Sequence, residues 1–232
     1  MKQSGYSRPQ LINLLIFSTI IVELFGELLN IKPLRLIKII PIYLMIYNIS
    51  MQKVVKDQQQ INMIKYGLVL SSVGDFLLMF NELLYFMIGT GFFLVAHLLY
   101  CAAAMVGEKT KETTPKIKRR MIIGCVILIL MLASNIYTLW DVMPNRFLFT
   151  LYGGVLCLIN ILCVVRYEKT TWASYVQMLI GSLLFGISDN LLAMLKFNGV
   201  ASNLGRTVVM FTYYFGQYFI MHGSINHSTL KN

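Results

Sequence analysis

Apolar residues recur along the chain in blocks of about 20, separated by short polar connections. A helix of that length, rising about 1.5 Å per residue, crosses the ~30 Å hydrocarbon core of a bilayer. The pattern predicts an all-α fold, a polytopic membrane bundle of about eight transmembrane helices. Because the spans leave only short connections, we expect residues 1–232 to form a single integral membrane domain. The predicted spans are 11–29, 34–51, 61–80, 83–106, 121–139, 147–166, 173–195 and 203–222.

The second predicted span is the least regular. Arg35, Lys38 and Pro41 interrupt its first half. A charge at the middle of a membrane costs several kcal/mol on insertion scales. We therefore expect this segment to start deep in the membrane or to snorkel.

Composition and charge narrow the class of protein. The chain is 57% hydrophobic and 13% charged, whereas soluble domains are about 25% charged, so a soluble globular fold is excluded. The net charge of +10 is explained by basic residues flanking membrane helices rather than by nucleic-acid binding. With eight spans, 14 of the 20 lysines and arginines fall on one side of the membrane, which predicts cytosolic termini.

A basic connection, 107–120, divides the chain into two halves, 11–106 and 121–222. An offset of 114 residues aligns Gly67 with Gly181 and Asp75 with Asp189. One interpretation is a duplication, with two parallel four-helix repeats that place the two aspartates at equal depth, facing one another. Leucine matches are common between membrane helices, so chance similarity stays open as the alternative.

Ionisable residues inside the spans are the main candidates for chemistry, because each costs free energy that packing alone does not return. Asp75 and Asp189 each follow a small residue, Gly74 or Ser188, and are predicted to line one cavity in the non-cytosolic half. The alternative is a structural ion pair, such as Asp75 with Lys38. The ionisable residues within spans are Glu23, Glu27, Lys38, Asp75, His97 and Asp189.

His97 and two further polar residues in the spans have two interpretations each. His97 lies deeper than the aspartates and is either functional or a satisfied helix-to-helix hydrogen bond. Tyr214 and Gln217 share one helix face and either supply hydroxyl and amide groups to a cavity or serve as packing and anchors. The sequence lacks phosphate-binding, HExxH and GxSxG motifs, so an enzyme here would use carboxylate acid–base chemistry.

Several short motifs occur together in an order and spacing that resemble the YhhN family, the lysoplasmalogenases of animals and bacteria. The Lys-x-x-Pro motif that the family carries near its second helix is met by Lys38-Ile-Ile-Pro41. The remaining motifs are Gly74-Asp75-Phe-Leu-Leu78, Phe93-Leu-Val-Ala-His97-Leu-Leu-Tyr100, Ser188-Asp189-Asn-Leu-Leu-Ala193 with Lys196-Phe197, and Tyr213-Tyr214-Phe-Gly-Gln217.

The resemblance implies hydrolysis of the vinyl ether bond of lysoplasmenylethanolamine or lysoplasmenylcholine. The products are a fatty aldehyde and glycerophosphoethanolamine or glycerophosphocholine. Protonation of the vinyl β-carbon gives an oxocarbenium ion that water traps, so the reaction needs an acid, an anion and a water. Asp75 and Asp189 are implied as acid and as anion or base, in an order left open, because two carboxylates in a low-dielectric cavity do not both ionise readily. Supporting or substrate-binding roles are implied for Lys38, His97, Tyr100, Ser188, Asn190, Lys196, Tyr214 and Gln217.

No metal or cofactor is expected, and the predicted partners are a lysophospholipid substrate and membrane lipids. Animal members of the family imply the endoplasmic reticulum membrane for an animal chain. One alternative is a proton-coupled transporter or receptor for a lipid or small molecule that uses the aspartate pair. Another is a scaffold in which the aspartates only pair with Lys38 and Arg206. The sequence does not indicate an oligomeric state.

Overall fold

The computed structural model describes residues 8–52, 57–80, 82–106, 115–141, 144–167, 169–199 and 202–228. Throughout these ranges the chain is helical and contains no strand, which confirms the predicted all-α class. The elements are α1 (Arg8–Leu28), a 3₁₀ helix (Lys32–Ile39), α2 (Ile40–Ser50), α3 (Gln58–Leu77), α4 (Leu83–Met105), α5 (Pro115–Leu139), α6 (Arg146–Val165), α7 (Trp172–Phe197) and α8 (Asn203–Ser228).

Four of these helices, α1, α4, α6 and α7, are both long and apolar enough to cross a membrane. Helices α3 and α8 are 20 and 26 residues long, but each carries polar side chains toward the interior. Ser71 and Asp75 of α3 and Gln217 of α8 are buried. The chain is a membrane protein, while the count of eight spans stays a prediction.

The second predicted span, 34–51, is not one continuous α-helix. The chain forms a 3₁₀ helix up to Ile39 and then α2, which begins at Ile40 and has 11 residues. Pro41 lies in the first turn of α2, where a residue without an N–H group leaves no hydrogen bond broken. The charges and the proline of this segment coincide with a break in the α-helix, and Lys38 lies at the junction, just before α2. That the segment starts deep in the membrane or snorkels stays a prediction.

The bundle is held most extensively by packing of α7 on α8 and of α3 on α4. Glycine permits both contacts. A Cβ on Gly181 would lie 2.8 Å from the backbone oxygen of Gly216, and a Cβ on Gly67 would lie 2.2 Å from Cε1 of Tyr100. The two glycines are those that the offset of 114 aligns. This agrees with a duplication, and the repeat interpretation stays a prediction.

The boundary between the predicted halves is partly described. Helix α5 already includes Pro115, six residues before the predicted start at 121. Residues 107–114 of the predicted basic loop lie outside the described residues, as do 1–7 and 229–232 at the termini. The cytosolic orientation of the termini stays a prediction.

Candidate functional site

Asp75 lies in the last turns of α3 and is 2% exposed. The ammonium Nζ of Lys38 lies 3.4 Å from its Oδ1 atom, and the hydroxyl of Tyr213 donates a hydrogen bond of 2.6 Å to its Oδ2 atom. The hydroxyl of Tyr214 donates to the backbone carbonyl of Lys38 at 2.9 Å. Asp75 is therefore a buried carboxylate in an ion pair with Lys38. Tyr214 of α8 holds the backbone of Lys38 in place.

Asp189 occupies the corresponding part of α7 but has different neighbours. The hydroxyl of Tyr152, on α6, donates a hydrogen bond to Oδ2 of Asp189. Nε2 of His97 lies 4.0 Å from the same oxygen. Within the described ranges no lysine or arginine lies at ion-pair distance from Asp189. Its side chain is 12% exposed, because one side of the carboxyl faces a pocket.

That pocket is small and almost wholly apolar. Its volume is about 40 Å³, which is room for water but less than an alkenyl chain needs, so a chain has to part the surrounding rings. Lys196 lies two helical turns beyond Asp189 on α7, and its Nζ is 5.3 Å from the centroid of the Phe86 ring. The lining residues are Leu78, Phe86, Thr90, Phe93, Phe149, Tyr152, Asp189, Leu192 and Ala193.

The surroundings of the two carboxyl groups meet at one aromatic side chain. The Phe185 ring packs against His97 with a centroid separation of 4.3 Å and against Tyr213 at 5.4 Å. The Phe185 ring thus lies between His97, beside Asp189, and Tyr213, which bonds to Asp75.

His97 lies next to Asp189, although its position in the sequence places it deeper than the aspartates. Its Nδ1 atom is 2.7 Å from the carbonyl oxygen of Phe93, one turn earlier in the same helix. The ring therefore makes no helix-to-helix hydrogen bond within the described residues, contrary to the structural interpretation of this histidine. Its other nitrogen, Nε2, is buried and has no hydrogen-bond partner among those residues.

Tyr100, Tyr214 and Gln217 are all fully buried. The hydroxyl of Tyr100 donates to Oε1 of Gln217 at 2.7 Å, which joins α4 to α8. Tyr214 bonds to the chain at Lys38 instead. Tyr214 and Gln217 thus share a helix but contact different parts of the protein.

Two of the implied supporting residues donate hydrogen bonds to backbone carbonyls rather than to the carboxyl group of Asp189. The Ser188 hydroxyl donates to the carbonyl of Val209 on α8 at 3.0 Å, and the Asn190 amide donates to the carbonyl of Gly186 at 2.9 Å. Arg206 pairs with Glu27 at 3.3 Å. Of the two cations that the scaffold alternative assigns to the aspartates, Lys38 pairs with Asp75, whereas Arg206 contacts a glutamate rather than an aspartate.

Tyr152 and Tyr213 contact the two carboxyl groups, and the sequence had singled out neither as a site residue. Tyrosines are frequent in membrane helices as anchors and packing residues, so their type alone carries little information. The repeat offset could have identified Tyr152 as a site residue, because an offset of 114 aligns Lys38 with Tyr152. In each half the residue at this position contacts the aspartate of its own half.

The family model of the YhhN family matches residues 34–224. This region extends from the 3₁₀ helix into α8 and includes both aspartates and all of their contacts described above. No curated protein and no solved structure matches the chain. A match over most of the chain, with the site inside it, establishes that the protein belongs to the YhhN family.

Proposed function

We propose that the protein is a lysoplasmalogenase, which hydrolyses the vinyl ether of a lysoplasmenyl phospholipid to a fatty aldehyde and a glycerophosphodiester. Membership of the YhhN family supports a hydrolase of this kind. The reaction requires one proton donor beside an apolar binding site, one anion to stabilise the oxocarbenium ion, and one water.

The observation that carries the proposal is Asp189. Its carboxyl group lies in the wall of an apolar, aromatic pocket, and Tyr152 fixes its orientation. A vinyl ether is uncharged and apolar except for its oxygen, so its β-carbon can approach a carboxylic acid in such a pocket. A general acid placed in this way accelerates a reaction by roughly 10² to 10⁴.

The neighbours of the two aspartates differ, and this difference suggests which aspartate is the acid and which is the anion. Lys38 stabilises a negative charge on Asp75, whereas the described partners of Asp189 are a phenol and an imidazole. We therefore assign Asp189 as the proton donor and Asp75 as the anion. Pairs of carboxyl groups whose surroundings separate their protonation states are the usual arrangement for acid–base work near neutral pH.

The chain of the substrate enters from the bilayer and lies among the rings that line the pocket. Its phosphate lies toward Lys196, which stands about 10 Å from Asp189 along α7. An amphiphile with one chain reaches such a site by sliding within a leaflet. If the chain is from an animal, we expect the protein in the membrane of the endoplasmic reticulum. Both of its termini should then face the cytosol.

The test measures aldehyde release from lysoplasmenylethanolamine and lysoplasmenylcholine by the purified protein in detergent. Wild type releases aldehyde, whereas Asp189→Asn and Asp75→Asn each lose it by at least 100-fold, in line with the ranges for general acid catalysis and for electrostatic stabilisation of the transition state. Asp141→Asn is the matched control, because Asp141 is 94% exposed and pairs only at the surface with Arg146. A saturated alkyl ether of the same lipid stays intact.

Folded wild type that releases no aldehyde from either lipid would overturn the proposal. Movement of the unchanged lipid across reconstituted vesicles, lost in Asp189→Asn, would then favour a transporter that uses the aspartate pair.

A further inference from the structure

His97 presents a single ring nitrogen to the oxygen of Asp189. Its Nδ1 atom lies 2.7 Å from the carbonyl oxygen of Phe93. A carbonyl only accepts hydrogen bonds, so Nδ1 carries the proton, and Nε2 of the neutral ring is an acceptor with a lone pair. The sequence around His97 thus fixes the tautomer through its own helix.

The Nε2 atom is buried and has no hydrogen-bond partner in the described part of the chain. Buried polar atoms are nearly always bonded, so an open one calls for an explanation. It lies 4.0 Å from Oδ2 of Asp189, too far for a direct hydrogen bond. A water about 2.8 Å from each atom would span that distance once the side chains around the buried Nε2 atom move slightly to admit it.

The other groups around the carboxyl pair are already engaged. Lys38 and Tyr213 occupy the oxygens of Asp75, and Tyr152 donates to Asp189. Among the described residues, Nε2 of His97 is thus a neutral acceptor placed to take a proton from a water beside Asp189, next to the carboxylate of Asp189 itself.

We propose that His97 is the general base that activates the hydrolytic water, an inference that rests on the proposed function. Asp189 first gives its proton to the vinyl β-carbon, and the π electrons form the new C–H bond. The water oxygen then bonds to the α-carbon of the oxocarbenium ion while one of its protons passes to Nε2 of His97. The result is a hemiacetal, an imidazolium and the carboxylate of Asp189.

The same two residues complete the reaction. The imidazolium of His97 returns its proton to the glycerol oxygen, and the carboxylate of Asp189 takes the proton of the hemiacetal hydroxyl. The C–O bond to glycerol breaks as the aldehyde C=O bond forms. Asp189 is then protonated and His97 neutral, as at the start, so the cycle consumes one vinyl ether and one water.

The proposal separates protonation of the substrate from capture by water, and deuterium distinguishes the two steps. In His97→Asn the amide can still bond to the Phe93 carbonyl, but it does not accept a proton. We expect aldehyde release to fall by about 100-fold or more. In D₂O the unreacted lysoplasmenylethanolamine should gain deuterium at the vinyl β-carbon. Asp189 delivers a deuteron, the Cα–Cβ single bond of the uncaptured oxocarbenium ion rotates, and the carboxylate then removes the original hydrogen as the double bond forms again.

Two further variants serve as controls for His97→Asn. Asp189→Asn should show neither release nor deuterium uptake, since no proton is delivered. His222→Asn, on α8, is the matched control, because the His222 ring lies 3.3 Å from Asn13 and away from both aspartates. It should release aldehyde at the wild-type rate.

The proposal is overturned if folded His97→Asn releases aldehyde at the wild-type rate, or if it loses release without deuterium uptake. His97→Gln, judged by the same two measurements, replaces the asparagine variant if that variant does not fold. Failure of the proposed function looks different, because wild type itself would then release no aldehyde.

Discussion

Asp75 and Asp189 lie at positions that one offset relates, yet their neighbours differ. Asp75 has an ammonium and a phenol beside it, from Lys38 and Tyr213. Asp189 has a phenol and an imidazole, from Tyr152 and His97. The offset of 114 maps Lys38 onto Tyr152. A single difference at one position thus decides whether a buried carboxyl group has a cation as its partner.

The two carboxyl groups also differ in what lies in front of them. Asp75 is 2% exposed, and Phe93 packs closely on the neighbouring Gly74, where an added Cβ would lie 2.7 Å from the ring. Asp189 opens on the apolar pocket. Similar helical positions can therefore yield one supporting group and one reacting group, when packing closes one and leaves the other open.

The strongest test of this contrast removes the cation. Lys38→Met leaves the carboxylate of Asp75 buried without its charge partner, and breaking a buried pair in this way costs about 3–5 kcal/mol. The double variant Lys38→Met/Asp75→Asn should recover much of that loss. Unfolding free energies in detergent measure both. Equal losses in the single and double variants would show that the ion pair does not set the charge of Asp75.

The sequence predicted the two aspartates and the helices that carry them, but it did not predict the tyrosine partners of the aspartates. Both aspartates stood out because a carboxyl group in an apolar block is rare and costly. The helices followed from the length of the blocks, and Pro41 with Lys38 indicated the irregular start of the second span. These features depend on residue type and local spacing, which the sequence contains directly.

The partners of the aspartates depend on how the helices are rotated and packed. Ser188 and Asn190 flank Asp189 in sequence, but on a helix neighbouring side chains point in different directions. Both bond to backbone instead. His97 lies deeper than the aspartates by its position in the sequence, yet the packing of α4 against α6 brings its ring beside Tyr152, with ring centroids 5.5 Å apart.

The second test compares the two phenols that bond to the aspartates. Tyr213→Phe removes a hydrogen bond to a charged group and should cost about 1.5–3 kcal/mol, whereas Tyr152→Phe removes one to a neutral acid and should cost about 1 kcal/mol. The effect on aldehyde release should run the other way, with Tyr152→Phe the slower enzyme, because Tyr152 orients the reacting group. If both variants changed stability and rate equally, the assignment of acid and anion would fail.

The third test uses the glycines that the offset aligns. A Cβ at Gly181 meets backbone atoms of Gly216 and Ile220 at 2.8 Å, so Gly181→Ala must separate α7 from α8, at a cost of about 1–3 kcal/mol. Gly67→Ala instead meets the Tyr100 ring at 2.2 Å and should disturb its bond to Gln217.

Gly91→Ala is the matched control for both glycine variants. An added Cβ at Gly91 has nothing within 4 Å, and alanine favours helix over glycine by about 1 kcal/mol. Thermal unfolding in detergent should rank the variants Gly91→Ala, wild type and Gly181→Ala in order of falling stability. A fully stable Gly181→Ala protein would contradict the close approach of α7 and α8.

The smallest effect is expected at Ser188, next to the reacting carboxyl group in sequence. Its hydroxyl is directed to the carbonyl of Val209 on α8, and that carbonyl also accepts from Thr212 at 3.0 Å, so it stays bonded in Ser188→Ala. Hydrogen bonds between membrane helices average about 0.6 kcal/mol, and we expect a loss of that size with an unchanged rate of aldehyde release per folded molecule. A slower enzyme of unchanged stability would instead place Ser188 in contact with substrate, as the family resemblance implies. The contrast between Ser188→Ala and Tyr152→Phe therefore separates closeness in sequence to Asp189 from contact with its carboxyl group.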